Sequence, residues 1–150
     1  MFIALLALAF ITALLAMVAY AHAQPVSSTD IRVIDGDTIA LTGLSQHVRL
    51  VGFNAPETRN AECQPEAQIG ERAKQRLTRL LRGGELDLTL VPCSREPGTE
   101  GTPRCNHGRR CGALTIYGRD IGAILISEGL AVPFHCGKTR CPPTPRPWCE

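Results

Sequence analysis

The chain has 150 residues and a formal net charge of +2, which suits one modest domain and excludes the strongly basic profile of a protein that coats DNA. Residues 1–23 are apolar and uncharged apart from the chain terminus, and they end in Ala21-His22-Ala23, the small-x-small pattern at which export signals are cleaved. No Lys or Arg precedes this run, and its length approaches that of a membrane span, so an uncleaved anchor is the alternative. Both interpretations predict an exported protein, either periplasmic or extracellular.

The next segments predict an antiparallel meander. Residues 24–29 are polar and are predicted to be a linker. Residues 31–34 and 38–41 are rich in β-type side chains, and the turn signal Asp35-Gly36-Asp37 between them predicts two strands that meet at a tight corner. After another turn, residues 46–53 are predicted to be a third strand.

The period of the apolar residues then changes to that of a helix over residues 65–82. Its apolar positions recur three or four residues apart, at Ile69, Ala73, Leu77 and Leu80. Strict alternation over residues 85–90 predicts a strand, and residues 111–117 predict another. Asp120 is placed to cap a short helix that continues through Glu128.

Five strands, with one helix after the third and one after the fifth, are the elements of an OB-like barrel. The fold class is therefore predicted to be α+β, mainly β, with a domain over residues 30–135. Residues 136–150 are rich in Pro and Cys and are predicted to form a tail without regular structure.

The cysteines indicate a disulfide-bonded domain. All seven follow the apolar leader: Cys63, Cys93, Cys105, Cys111, Cys136, Cys141 and Cys149. An odd number permits at most three bridges and leaves one thiol over, and spacing alone does not give the pairing. The absence of any Cys-x-x-Cys pair disfavours structural zinc. A bridge from Cys111 to either Cys105 or Cys93 would fix the loop that carries Arg109.

Six polar side chains lie within or next to the predicted strands, or in the loop before the last strand. They are Asp35, Asp37, Arg49, Asn54, Glu57 and Arg109. Each is ordinary alone, because turns favour such residues and an arginine between apolar neighbours can simply face solvent. Together they could meet around a small anion and a cation, because guanidinium forks match phosphate oxygens, a carboxylate can activate water, and oxygen donors bind hard cations.

In this order the motifs resemble those of the staphylococcal (thermonuclease-type) nuclease family, from about residue 31 to residue 134. The matching segments read VIDGDTIAL, VRLVGFNAPE, IGERAKQRL, HGRR and GRDIGAILISEGLA. Each segment is a weak signal, whereas five in the correct order and spacing are strong. The resemblance implies a calcium-dependent phosphodiesterase on an OB-type barrel.

The resemblance also implies a set of metal ligands. Asp37 stands at the position of one carboxylate ligand, the backbone carbonyl of Ala55 would be another donor, and Asp35 would lie in the outer shell. Asn54 departs from the family, which has a second carboxylate ligand there. An amide oxygen can coordinate calcium, but the lost negative charge is expected to weaken binding or to change the preferred ion.

The same resemblance implies that Arg49 and Arg109 clamp the scissile phosphate, while Glu57 orients or deprotonates the attacking water. These three are the predicted catalytic residues. Removing either arginine is expected to harm the transition state more than substrate binding.

The predicted substrate contacts are His107, Phe134 and His135. His107 stands where the family commonly has a tyrosine, and the other two stand where it often has aromatic residues around a base. A solvated loop histidine and a phenylalanine that seals the barrel end are the structural alternatives. Because aromatic residues make up only 5% of the chain, we expect contact with one or two nucleotides.

The sequence thus predicts an exported endonuclease that hydrolyses DNA and RNA, favours single strands, and acts as a monomer without a stable protein partner. The main alternative is an OB-fold module that binds nucleic acid or protein and has lost turnover through Asn54. A third is an anchored envelope protein whose barrel is an interaction surface. Retention of Arg49, Glu57 and Arg109 favours the enzyme, because a pure binder needs no base beside two phosphate clamps.

Overall fold

The computed structural model describes residues 23–149. The predicted leader therefore lies outside the described residues, apart from its last position. Within the described part, no helix combines the length and the apolar character needed to cross a membrane.

The two α-helices follow the strands in the order predicted for an OB-like fold, while the described residues contain short strands in addition to the five predicted. In residues 23–149 the strands are β1 (Gln24–Pro25), β2 (Ile31–Asp35), β3 (Thr38–Leu41), β4 (Val48–Leu50), β5 (Gly52–Asn54), β6 (Leu86–Val91), β7 (Arg110–Ile116), β8 (Arg119–Asp120) and β9 (Val132–Phe134). The α-helices there are α1 (Gln64–Leu81) and α2 (Ile121–Ser127). Short 3-10 turns cover Ser28–Asp30, Asn106–Gly108 and Pro147–Cys149.

The main sheet has the strand order β1-β6-β7-β4-β3-β2, with β8 paired to β7, while β5 and β9 form a separate pair. This curled sheet with two helices confirms the predicted mixed α+β, OB-like fold. The decisive pairing for the site is the parallel one between β4 and β7, which sets Arg49 opposite Cys111. It brings the arginine of β4 next to the loop that precedes β7, where Arg109 lies.

The core lies between the sheet and the two helices, as the apolar spacing predicts. Ala73 and Leu77 of α1, and Ile121 and Leu125 of α2, are completely buried. Asp120 caps α2 as predicted, since its side chain accepts a hydrogen bond from the Ala123 N–H at 2.7 Å.

The prediction of one continuous third strand is wrong. The strand is interrupted at Val51, between β4 and β5. Gly52 has a φ of +94°, in the region that favours glycine. Strand β4 stays in the main sheet, while β5 turns away and pairs with β9. Because β5 turns away from β4, the Arg49 side chain can reach Phe53 and Asn54 at the end of β5.

Two segments predicted to lack regular structure carry short elements. In the linker, Gln24 and Pro25 pair with β6, so the sheet begins earlier than predicted. In the tail, Pro147–Cys149 is a 3-10 turn. The tail folds back because a disulfide joins Cys149 to Cys63, just before α1.

Three disulfides form, and one thiol remains, as the odd count predicts. The bridges are Cys63–Cys149, Cys93–Cys111 and Cys136–Cys141. Cys105 is buried and unpaired. Of the two pairings considered for Cys111, the one with Cys93 is present. Three disulfides in a small domain are typical of proteins that fold in an oxidising compartment.

Candidate active site

The corner between β2 and β3 is held by hydrogen bonds to Asp37, which is only 3% exposed. One carboxylate oxygen of Asp37 accepts the Ala55 N–H at 2.8 Å, and the other accepts the Thr38 hydroxyl at 3.1 Å. The Asp37 N–H in turn donates to the Asp35 carboxylate at 3.2 Å. Gly36 makes this approach possible, because a Cβ there would lie 2.6 Å from the Cβ of Ala55.

The guanidinium of Arg49 lies between the two side chains expected to hold a metal. Its Nη1 forms an ion pair with the Asp37 carboxylate. Its Nη2 donates to the Asn54 Oδ1 at 2.8 Å and to the Phe53 carbonyl at 3.3 Å. The Asn54 Nδ2 donates to the carbonyl of Pro145 at 3.0 Å. Both ends of the Asn54 amide are therefore engaged, one by the predicted phosphate clamp and the other by the tail.

Burial raises the pKa of Asp37 to about 7, and it outweighs the opposing effects of Arg49 and the Ala55 N–H. The neighbouring Asp35 carboxylate raises this pKa further. Burial therefore favours the protonated form of Asp37, whereas the ion pair with Arg49 favours its charged form. Near neutral pH, a proton competes with positive partners for Asp37.

Arg109 follows a strained turn that positions its side chain. Asn106 and His107 have φ values of 50° and 56°, in the left-handed region that is uncommon for residues other than glycine. The Arg109 Nε donates to the Asn106 carbonyl at 3.2 Å, and its Nη2 donates to the Asn106 Oδ1 at 2.9 Å. The Asn106 amide also contacts the sulfur of Cys111, at 3.2 Å. The Cys93–Cys111 bridge thus anchors the loop that aims Arg109.

The predicted site residues come together around Arg109, because Arg49 and Glu57 line the same cleft and Asp37 pairs with Arg49. Burial lowers the pKa of Arg109, and the positive charge of Arg49 lowers it further, whereas Asp37, Asp35 and Glu57 oppose the decrease. The three predicted catalytic residues and two acidic residues therefore form one cluster.

Glu57 is carried by a segment that packs tightly on α1. A Cβ at Gly70 would lie 2.6 Å from the Glu57 carbonyl and 2.8 Å from that of Pro56, so only glycine allows this approach. The Glu57 N–H donates to the Glu66 Oε1 at 3.3 Å. Within residues 23–149, no hydrogen bond or ion pair holds the half-buried Glu57 carboxylate itself. The backbone is fixed while the carboxylate can still engage a substrate or water.

A cleft of about 1150 Å³ opens over this cluster. Its lining includes all three predicted catalytic residues, Asn54 and the three predicted substrate contacts: Arg49, Glu57, Arg109, Asn54, His107, Phe134 and His135. The remaining predictions, Asp35, Asp37 and Ala55, are not among its lining residues. Arg49, which lines the cleft and pairs with Asp37, connects this buried carboxylate to it.

Sequence analysis missed a buried ion pair beside the cleft. Glu66 in the first turn of α1 is completely buried. Arg146 of the tail binds both of its oxygens, with Nε to Oε1 at 3.0 Å and Nη2 to Oε2 at 2.8 Å. The sequence contained a signal for this pair. Glu66 lies three positions before Ile69, on the face of the apolar stripe, and a carboxylate buried there requires a partner. Asn106 was also missed.

The sequence profile described as staphylococcal nuclease homologue matches residues 47–142, about two thirds of the chain. The chain belongs to this family. The match includes Arg49, Asn54, Glu57 and Arg109, and it ends before Pro145 and Arg146. No curated protein matches the chain. Membership confirms the predicted resemblance and relates the protein to nucleases.

Glu66 should give the protein an acid-sensitive component of stability. Burial raises the pKa of Glu66, but hydrogen bonds from Arg146 and from the Glu62 and Glu57 N–H groups outweigh it and hold the pKa below the ordinary value. The unfolded chain therefore binds the proton first, and this stabilisation is present above about pH 4.5 and lost as the pH falls through the folded pKa. We expect the free energy of unfolding to fall over that range, measured by urea titration. Glu66→Gln should lack this component, and an identical acid limb in both proteins would contradict the assignment.

Proposed function

We propose that this protein is an endonuclease that hydrolyses phosphodiester bonds of DNA and RNA. One observation carries the proposal: the guanidinium groups of Arg49 and Arg109 line one cleft with the Glu57 carboxylate, for which residues 23–149 provide no hydrogen-bond or ion-pair partner. Family membership supports the same reaction class.

Each of these groups has a chemical role in water attack on phosphorus. Negative charge builds on the phosphoryl oxygens in the transition state, and two guanidinium forks can stabilise it with paired N–H bonds. Glu57 accepts the proton of the attacking water at its carboxylate oxygen. The backbone of Glu57 is held through Glu66 and Gly70, so the carboxylate is presented to the cleft from a fixed position.

The donor set near Arg49 is chemically suited to a hard cation. Asp37 and Asn54 offer oxygens that already share one positive group, and the Ala55 carbonyl is in the adjacent residue. Calcium held there would add positive charge near the phosphate and orient a water molecule. Arg49 would have to leave these oxygens, and the phosphate in the cleft is the alternative acceptor for its N–H groups. With only one carboxylate among these donors, we propose weak calcium binding.

The substrate proposed is a single strand. Phe134 offers a face on which an unpaired base can stack, and His107 and His135 offer hydrogen-bond donors for phosphate at the cleft wall. A base that is already unpaired enters the cleft without the free-energy cost of leaving a duplex. We propose that the protein is exported, which fits its disulfides, and that it acts as a monomer without a stable protein partner.

The test is cleavage of single-stranded DNA and RNA by the oxidised protein that begins at Gln24. We expect cleavage with calcium and none with a chelator. Asn54→Asp should bind calcium about tenfold more tightly by titration calorimetry, because a second carboxylate joins the donor set. Cleavage that is equal with calcium and with chelator would contradict the metal assignment, and no cleavage at all would contradict the enzyme.

A second candidate, a binding module without turnover, is favoured by one observation. The side-chain oxygens of Asp37 and Asn54 are already engaged by Arg49, Thr38 and the Ala55 N–H, as in a site closed by its own arginine. This candidate predicts that the natural protein binds single-stranded DNA without cutting it and that Asn54→Asp restores cleavage.

A further inference from the structure

Two consecutive residues of the tail bind opposite ends of the segment that carries Glu57. The carbonyl of Pro145 accepts the Asn54 Nδ2 at the beginning of this segment. Arg146 binds the Glu66 carboxylate, whose Oε1 accepts the N–H of Glu57 at the end of the segment. The tail therefore contacts the active site through two independent hydrogen-bond paths.

Glu66 is the pivot of the second path. Its two oxygens accept four bonds: two from Arg146, one from the Glu57 N–H at 3.3 Å and one from the Glu62 N–H at 2.8 Å. The carboxylate is completely buried, so its negative charge depends on the guanidinium. Without Arg146 the carboxylate must take up a proton or move toward water, and either change weakens its hold on the backbone of Glu57.

Arg146 also braces the loop between Glu57 and α1. Its Nη2 donates to the Asn60 carbonyl at 3.0 Å, and its Nη1 pairs with the Glu62 carboxylate at 2.8 Å. The disulfide between Cys63 and Cys149 ties the chain three residues beyond Arg146 to the same loop. One side chain and one covalent bond thus hold the tail against the loop.

The contact between Asn54 and the Pro145 carbonyl gives a structural reason for an asparagine where the family has an aspartate. An aspartate at position 54 would be an acceptor facing the Pro145 carbonyl, which is also an acceptor, and the bond would be lost. The amide instead accepts from Arg49 on one side and donates to the tail on the other. Asparagine therefore fits a chain whose tail closes this end of the cleft.

We infer that Arg146 and Glu66 are positioning residues for the reaction and that the C-terminal segment 145–149 is a working part of the active site. Arg146 acts through the Glu66 carboxylate on the backbone of Glu57, and the Cys63–Cys149 bridge keeps Arg146 in place. The catalytic consequence rests on the proposed nuclease function, whereas the positioning itself does not.

The test compares Arg146→Ala with Arg140→Ala, which removes an exposed arginine side chain six residues earlier in the tail. We expect Arg146→Ala to lower kcat for single-stranded DNA ten- to hundredfold, with KM changed less than threefold. In NMR hydrogen exchange, the Glu57 amide should lose at least tenfold protection while amides of β3 and α1 keep theirs. Arg140→Ala should leave both readouts unchanged.

The two readouts separate the inference from the proposed function. If the natural protein does not cleave, the nuclease proposal fails, and the exchange of the Glu57 amide alone decides whether the tail positions this segment. Unchanged protection of Glu57 in Arg146→Ala, or unchanged kcat in an active enzyme, overturns the inference. A uniform loss of protection across β3 and α1 means a general structural role and overturns it as well.

A second variant, Arg146→Lys, tests the inference even if Arg146→Ala does not fold. Arg146→Lys keeps a positive charge beside Glu66, but one ammonium cannot reproduce the paired bonds of the guanidinium. We expect it to remain folded and to lower kcat three- to tenfold, with a smaller loss of Glu57 protection. Full activity and full protection in Arg146→Lys would show that charge alone is sufficient and would contradict positioning by paired bonds.

Discussion

Arg109→Ala is expected to lower kcat by about three orders of magnitude, with KM for single-stranded DNA changed less than tenfold. The Arg109 side chain is held by two bonds to Asn106 and lies within electrostatic reach of Arg49 and Glu57. A donor fixed in this way stabilises the additional negative charge that develops in the transition state. Its loss therefore affects turnover more than substrate binding. Steady-state kinetics with a fluorescent oligonucleotide would measure both constants.

The matched control is Arg110→Ala. Arg110 is the next residue, it is exposed on β7, and it is not among the residues that line the cleft with Arg109. Arg110→Ala should change kcat less than threefold. This result would show that the position of Arg109, and not general attraction of the substrate by basic residues, supports cleavage. Equal losses in both variants would show that basic charge near the loop, rather than the position of Arg109, supports cleavage.

A lysine at position 109 distinguishes charge from geometry. Arg109→Lys keeps one positive charge but loses the planar fork that can bind Asn106 and a phosphate at once. We expect it to recover at most about tenfold of the lost kcat. Recovery to the natural rate would mean that a point charge is sufficient at this position.

The sequence predicted most elements because their signals are local. The α1 stripe and the Asp120 cap depend on side chains only a few positions apart, and both are confirmed. The third strand was predicted as one element because its apolar alternation continues to Phe53. A single glycine, Gly52, ended it by taking a positive φ.

The candidate cluster was predicted in its composition but not in its internal contacts. Alternation placed Arg49 on a polar face, yet the pairing of β4 with β7 decides that it faces the Arg109 loop. The Arg49 contacts with both Asp37 and Asn54 depend on the break between β4 and β5, and periodicity does not show that break. Contacts of the tail with Asn54 and Glu66 span most of the chain, so no short-range pattern predicts them.

Removing the Cys63–Cys149 bridge is expected to be the largest change in stability. Its sequence separation is 86 residues, whereas that of Cys136–Cys141 is 5. A longer closed loop restricts the unfolded chain more, so the chain-entropy treatment gives about 4–5 kcal/mol for the first bridge and about 2 kcal/mol for the second. We therefore expect Cys63→Ser/Cys149→Ser to lose about twice the free energy of unfolding that Cys136→Ser/Cys141→Ser loses.

Urea unfolding of the two double variants tests this difference, because each replaces the same number of sulfur atoms and the second is the internal control. The Cys63→Ser/Cys149→Ser variant should also show the larger increase in m-value, since its unfolded chain gains the greater freedom to expand. Equal losses in the two variants would contradict the loop argument. They would mean that residual structure in the unfolded chain already restricts the larger loop, so that its covalent bond adds little further constraint.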